Sequence, residues 1–561
     1  MYKANVKIFL ATFLAISGVT SCIDEDYDLD KDIDKTVNIG GDELAAPIGD
    51  TEKIFIKDML PLEENGMLKT DADGFYYIET ENMNFSQTVS VDEISFSAPK
   101  ASSTELDFGT IPQNQGAPSV TMELPETTET DVDLGTITLP DEVESIEYVS
   151  FEAVAEITIS MEGTAAREID IDELNMTIPD WIETDSDSRI NISGRLANNS
   201  ELTETINIRG IDIAGNDDID NGSNVLDLNG TFTYDGRISI DKDDIYEVGG
   251  SIVLTADVQI RPASGGSEIT VTEIQGTLDL AYEQESERID LGISEELSSG
   301  DYTLDLIGAS LYLNLDNGSP LDINIEGRIA TYGRSGEELS NVGFALPEIP
   351  ASSASMYLVS QEGGNEGDYE GVQVNGFDEL FFRLPSSAGM DVTITSNSYC
   401  TIIPGSEYDV NADYFLRVPV KFGNDLDMSY DFTLDNLQES LGKVNIENSE
   451  VTLFATLEAM IPAKLSLSAK AMDLSGNEVE GIEISFDGKD VLEIAPQTGI
   501  IEQEILINIR QTQDGALENT DGLAFSINIS EGNGNAVNSE DYLLLKDISV
   551  MIPGGINIEI K

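Results

Sequence analysis

Histidine is absent from all 561 residues, and that single absence removes much of the familiar catalytic repertoire. Without imidazole there is no Ser-His-Asp or Cys-His nucleophile, no HExxH zinc site and no side chain that ordinarily titrates near neutrality. Cysteine is nearly absent as well: Cys22 and Cys400 alone fall short of the four Cys/His ligands of a structural zinc site. Basic residues are scarce, with 28 Lys plus Arg against 107 Asp plus Glu, for a formal charge of −79. Such a chain repels a phosphate backbone, which argues against any nucleic-acid partner. Phosphate loops are missing: Gly442-Lys443 runs into Val444 without the upstream glycine, and no GxGxxG stands in a strand–helix setting. Helical signals are few. The best, from Ile293 and around Leu437, are too short for more than about two turns.

What is present begins at the N-terminus. Lys3 and Lys7 precede the apolar run Ile8 to Ile16, and small residues follow up to Cys22. This is the pattern of a secretory signal, too short to span a bilayer. No other stretch approaches the roughly 20 apolar residues of a membrane-crossing helix. Val19-Thr20-Ser21-Cys22 resembles a bacterial lipobox, which implies cleavage after Ser21 and acylation of Cys22. Cys400, in SNSYCTII, then has no intramolecular partner and reads as a buried strand residue. After the anchor, DEDYDLDKDID holds seven acids in eleven positions, a stretch whose repulsion keeps it extended as a tether. An acidic run just behind the lipid cysteine resembles the surface-export signal of Bacteroidota outer-membrane lipoproteins. Residues 20–80, with DLDKDIDKTVNIGGDELAAPIGDTEKIFIKDML and LKTDADGFYYIE, are similar to the opening of a group of such lipoproteins of unknown function. The resemblance implies an outer-membrane, surface-exposed address and a β architecture, and carries no catalytic residues with it.

Period-two alternation runs from end to end. It shows in Ile190/Ile192, Ile206/Ile208, Leu311/Leu313/Leu315, Ile323/Ile325, Phe525/Ile527/Ile529 and Ile556/Ile558/Ile560. Turn signals stand at Asp73-Gly74, Asp235-Gly236, Asn317-Gly318 and Ser475-Gly476. Short strands with one apolar face predict an all-β chain of tandem antiparallel β-sandwiches, immunoglobulin-like or related. Residues 311–336 can be laid on 453–476 with Pro320 on Pro462, giving strand, Pro-containing turn and strand in each copy. The Pro-rich, small-residue stretch 345–355 reads as a linker. The expected division is a signal peptide at 1–21, a lipid-anchored acidic tether at 22–50, and β domains at 51–180, 181–345 and 350–561. The final alternation predicts a paired C-terminal strand.

Candidate chemistry is thin. Calcium ligands are conceivable at Asp24 to Asp34, at Asp217, Asp218 and Asp220, and at Asp71 with Asp73, but none completes a D-x-[DN]-x-[DN]-G loop with its closing Glu. The balance lies with a solvated tether and polar turns. Ser97 with Lys100 and Ser440 with Lys443 have Ser-x-x-Lys spacing without the accompanying motifs. Paired carboxylates for glycoside hydrolysis are not excluded among 107 acids, although Trp181, the lone tryptophan, reads as a core or junction residue. Phe75, Tyr76 and Tyr77, and Phe381 with Phe382, are adjacent aromatics, of which alternation exposes one member per group. The expectation is a non-enzymatic cell-surface lipoprotein without cofactor or bound metal, a modular binding, adhesion or structural protein. Its partners would be the outer membrane and an extracellular protein or glycan. The competing expectation is a glycan-binding accessory of polysaccharide uptake, or a cryptic carbohydrate-active enzyme.

Overall fold

The computed structural model describes residues 36–39, 43–59, 68–113, 116–163, 165–186, 188–214, 224–285, 288–291, 302–434, 450–553 and 556–559. Within them the chain is nearly all strand, as the alternation requires. In the long strand Val143–Met161, Ala153, Ala155, Ile157 and Ile159 are buried while Glu156, Thr158 and Ser160 between them stay partly open. Each isoleucine buried in this way contributes roughly 1.5–3 kcal/mol, and each alanine methyl less. Among the described residues no helix is long and apolar enough to cross a membrane.

The main N-terminal strands are β1 (Thr36–Ile39), β2 (Glu43–Gly49), β3 (Tyr76–Glu79), β4 (Met83–Ser90) and β5 (Ser102–Thr110). The first sandwich then comprises β6 (Thr128–Thr138), β7 (Val143–Met161), β8 (Glu168–Thr177), β9 (Arg189–Ala197), β10 (Glu201–Asp212), β11 (Val225–Asp241) and β12 (Ser251–Pro262). Here β7 lies between β10 and β12, and β8 lies between β9 and β11, with β6 on the outer side of β11. A small internal hollow shows the two sheets meeting, because Leu134 and Leu228 of one line it together with Ile208 and Ile260 of the other.

The same wiring recurs twice. In the second sandwich, β13 (Glu268–Glu285), β14 (Ser310–Asn317), β15 (Asn324–Tyr332), β16 (Glu338–Ala345), β17 (Ser353–Ser360), β18 (Ser387–Ile402) and β19 (Glu407–Pro419) take those seven places in order. There β14 pairs β17 and β19, β15 pairs β16 and β18, and β13 pairs β18. The third sandwich repeats the scheme with β20 (Asp427–Leu434), β21 (Glu450–Ala459), β22 (Ala463–Met472), β23 (Leu492–Ile494), β24 (Ile501–Gln511), β25 (Gly522–Gly532) and β26 (Tyr542–Pro553). β13 also pairs β7, so one sheet runs continuously from the first sandwich into the second. Near the C-terminus, β27 (Ile556–Glu559) pairs β1, as the final alternation led us to expect.

The eighth strand of each sandwich comes from the N-terminal segment. β2 pairs β26 of the third sandwich, β3 and β4 pair β19 of the second, and β5 pairs β12 of the first. Residues 43–110 therefore form a strap that visits the sandwiches in the reverse of their order along the chain. In each case it covers the sheet edge that the last strand would leave open, the standard liability of β proteins.

Three features differ from the sequence reading. The segments 311–336 and 453–476 are not paired hairpins: β14 and β15 lie in opposite sheets, as do β21 and β22, so the Pro-containing turn is a crossing between sheets. Asp235-Gly236 is not a turn but the middle of β11, where a Cβ on Gly236 would stand 2.4 Å from the Glu173 carbonyl oxygen. Its glycine permits close strand approach at a bulge rather than a reversal. The residue numbers 180/181 and 345/350 fall within sandwiches, between β8 and β9 and between β16 and β17, and strands of 51–142 are shared among all three sandwiches. A Pro-rich connection between facing sheets has the same composition as an interdomain linker.

Candidate functional site

Shared wiring allows one end of each sandwich to be compared directly. At this end the crossing between sheets meets two loops, and in the first two sandwiches the chain fills the space itself. In the first, the Gly163 N–H donates to Asn198 Oδ1 (3.2 Å), the Tyr246 N–H donates to the Ala165 carbonyl (2.8 Å), and Ala165 and Ala166 are buried. In the second, Asn317 is 1% exposed; its Nδ2 donates to the carbonyls of Leu321 (2.8 Å) and Pro350 (3.0 Å). Its Oδ1 accepts from the Ser319 N–H (3.1 Å) and hydroxyl (2.6 Å), so the corner is sealed.

In the third sandwich the corresponding corner is open. A hollow of about 400 Å³ lies between the crossing Met460–Pro462, the loop bearing Gln497 and Thr498, and the loop Asn535–Asp541. Phe75, carried by the strap, forms a further wall and is 38% exposed. The walls are fixed by backbone hydrogen bonds: Gln497 N–H to the Ile461 carbonyl (3.1 Å), Asn533 N–H to Pro462 (3.0 Å) and Ser539 N–H to Gly74 (2.9 Å). Asn538 Nδ2 donates to the Asp73 carbonyl (3.0 Å), tying the strap turn to the sandwich. A concave apolar surface with a few convergent polar groups is the usual form of a small-molecule site, and its size lies within the ~300–1,000 Å³ such sites occupy.

Asp541 is the one carboxylate among the described residues that line the hollow, and it is 5% exposed. Its Oδ2 accepts the Asn538 backbone N–H at 2.7 Å. Burial pushes its pKa up to about 6, against the downward pull of that hydrogen bond. Because the folded value lies above the unfolded one, Asp541 costs nothing below about pH 4. It destabilises increasingly from about pH 4 to about pH 6, and at full ionisation the cost is about 2–3 kcal/mol. Asp541→Asn keeps an acceptor for Asn538. It is expected to raise stability by that amount at pH 7.5 and by almost nothing at pH 4, as read by urea unfolding at both values.

Two other hollows are charged. One of about 620 Å³ is lined by Phe382, Arg383, Asp305, Asp378 and Asp425 among others. Two of its four acids hold backbone: Asp378 Oδ1 accepts the N–H groups of Gly308 (2.9 Å) and Ala309 (3.2 Å), and Asp305 Oδ2 accepts that of Asp425 (2.8 Å). A second, of about 310 Å³, holds Tyr148, Tyr399, Glu147 and Glu183. The Tyr148 hydroxyl donates to Glu183 (2.9 Å), and burial followed by that hydrogen bond pushes its pKa up to about 12.

The other sequence candidates fall into place as follows. Cys22, Asp24 to Asp34, Asp217, Asp218, Asp220, Ser440 and Lys443 lie outside the described residues, as do the stretches from Ile293 and around Leu437. Asp71 Oδ1 accepts the N–H groups of Asp73 and Phe75, both at 2.9 Å, which makes it a turn-forming residue. Among the described residues no group of three or more acidic or thiol side chains is arranged to hold a metal ion. Ser97 ends a short strand and Lys100 is exposed. Trp181 is half-buried against the core and covers Gly230, the place expected of it. Cys400 is a buried residue of β18, its thiol pushed up to about 11 by burial. Phe75 and Phe382 are the exposed members of their groups, but Phe381 and Phe382 owe this to a 3-10 turn at Asp378–Phe381, not to strand alternation. Thr498, Asn535 and Asp541 escaped notice in the sequence, where they read as ordinary polar loops.

No known family model matches the chain, and no curated protein matches it. Among solved structures, a protein from Parabacteroides distasonis classed as secreted aligns at 12% identity and a TM-score of 0.37, covering 50% of this chain and 90% of that one. Infectious bursal disease virus, Gx strain, aligns at 8% identity and a TM-score of 0.16, covering 88% and 87%. A triple jelly roll protein of an archaeal virus aligns at 10% identity and a TM-score of 0.09, covering 82% and 91%. At TM-scores this low these likenesses establish neither a shared fold nor a shared function.

Proposed function

We propose that the chain is a non-enzymatic lipoprotein of the outer membrane, anchored through Cys22 and exposed at the cell surface, where its sandwiches bind an extracellular partner. The observation that carries the reading is the open corner of the third sandwich: a preformed hollow lined by an exposed aromatic ring, uncharged polar groups and a single carboxylate. Such a lining suits binding better than glycoside hydrolysis, which uses two carboxyl groups across the scissile bond. The anchor is supported by the lipobox-like Val19-Thr20-Ser21-Cys22 and by the acidic tether behind it. In this reading the tether is shorter than the expected 22–50, because 36–39 and 43–49 are strands, and the chain enters the third sandwich where Glu43 pairs Pro553, the end of β26 remote from Asp541 and the hollow.

Cys22→Ala is expected to move the protein from the membrane fraction to the soluble fraction, because a lipid-anchored chain has no other hold on the bilayer. Immunoblots of fractionated cells check this. Retention of the variant in the membrane fraction contradicts the anchor.

A further inference from the structure

We infer that the hollow at the open corner of the third sandwich is a binding site for a neutral sugar, with Phe75 as the stacking surface and Asn535, Thr498 and Asp541 as the hydrogen-bonding groups. The inference rests on the binding-protein reading above and names the ligand class of that site. The comparison among the three sandwiches is its starting point. The equivalent corners of the first two are closed by Asn198 and by Asn317 with Ser319, each bonded to the crossing backbone. In the third, no side chain takes that place. The amide of Asn533 instead links the two loops, donating to the Gln497 carbonyl (3.3 Å) and accepting the Asn535 N–H (3.0 Å).

What lines the space then selects the ligand. Among the described residues, the side chains of Asn535 and Thr498 make no hydrogen bond, so an amide and a hydroxyl stand free at the rim, both exposed. Asp541 sits deep in the wall, and its Oδ2 is already held by the Asn538 N–H. A carboxylate lining the hollow with only one oxygen engaged among the described residues retains acceptor capacity for hydroxyl donors. Phe75 and Met460, with Ile461 and Pro462, supply the apolar side. A pyranose ring has the complementary anatomy: C–H groups on its faces for an aromatic ring, and hydroxyl groups around its edge for amide, hydroxyl and carboxylate partners. Neither Lys nor Arg lines the hollow, so it offers nothing to neutralise a phosphate or carboxylate, and the net charge of −79 repels anions further. A small cation fits no better, since a lone carboxylate does not provide the six to eight oxygen ligands that calcium takes.

The test is saturation-transfer NMR on the intact soluble chain from residue 23, with D-glucose, D-galactose, D-mannose, L-rhamnose and N-acetylglucosamine as separate probes. At least one sugar should receive saturation from the protein. Phe75→Ala and Asn535→Ala should each weaken its apparent affinity about tenfold or more, about 1.4 kcal/mol. Both side chains are substantially exposed, and the melting temperature of each variant verifies that it is folded. Phe382→Ala, at the larger charged hollow, should leave the sugar signal unchanged. Absence of transfer to every sugar overturns the inference. So does a signal that survives both site substitutions, or one abolished by Phe382→Ala instead. None of these outcomes bears on the anchored-binding reading, which fails separately if Cys22→Ala leaves the protein in the membrane.

Discussion

A chain lacking residues 43–111 is expected to yield no soluble, folded protein, although all three sandwiches keep their own seven strands. The strap buries Ile78, Phe85, Val89, Val91, Ile94, Phe96, Leu106 and Phe108. At roughly 1.5–3 kcal/mol for each, their removal forfeits about 12–24 kcal/mol, comparable to or above the ~5–15 kcal/mol by which a domain is ordinarily stable. It also bares β12, β19 and β26 as open edges, each a template for intermolecular pairing. Expression with size-exclusion analysis reads the result, and a strapless monomer with an unchanged melting temperature contradicts the strap's structural role. A gentler version isolates one sandwich. Leu106 is fully buried in β5 against β12, and Leu106→Ala is expected to cost about 2–4 kcal/mol in the first sandwich.

Asn317→Ala should be the most damaging single substitution at a polar residue. The side chain makes four hydrogen bonds at the sealed corner of the second sandwich, three of them buried, with Leu321 and twice with Ser319, and a partly buried one with Pro350. Alanine takes one donor each from the carbonyls of Leu321 and Pro350, which keep the Ser319 and Ser353 hydroxyls, and leaves the buried Ser319 N–H without its acceptor. An orphaned buried polar group costs about 1–3 kcal/mol, so an overall loss of about 2–3 kcal/mol is expected once the weakened carbonyl contacts are added, some water entering the vacated space. Urea unfolding measures it. The open corner of the third sandwich gives the contrast: Asn535→Ala removes a side chain that bonds nothing among the described residues, and stability should change by less than about 0.5 kcal/mol.

The fold class was legible because strand alternation is a local property: the apolar residues of β7, β14, β21 and β25 lie on the faces their spacing announces. The likeness of 311–336 to 453–476 also proved structural, since β14 and β21 take equivalent partners, as do β15 and β22. The first sandwich hid its membership because its crossing, Glu162 to Arg167, has no proline and turns on Gly163 and two alanines instead. The strap was illegible for a different reason. β4 and β5 look like any amphipathic strands, and nothing local records that their partners stand roughly 150 to 320 residues away. The candidate site divides in the same way. Phe75 was visible as one of three adjacent aromatics, whereas Asn535, Thr498 and Asp541 acquire meaning only when three loops and the strap meet. Asp541 in particular is one acid among 107, distinguished by burial alone.

The central structural claim is that one N-terminal strap completes all three sandwiches. Hydrogen exchange on the intact protein, read peptide by peptide by mass spectrometry, tests it most directly. Amides of β4 and β5 should exchange as slowly as those of their partners β19 and β12, slowed by about a thousandfold or more relative to free peptide. The amides of Asp71, Asp73 and Gly74, which donate only within their own turn, should exchange faster. Free-peptide exchange rates across residues 83–110, beside protected β12 and β19, would contradict the strap and with it the wall that carries Phe75.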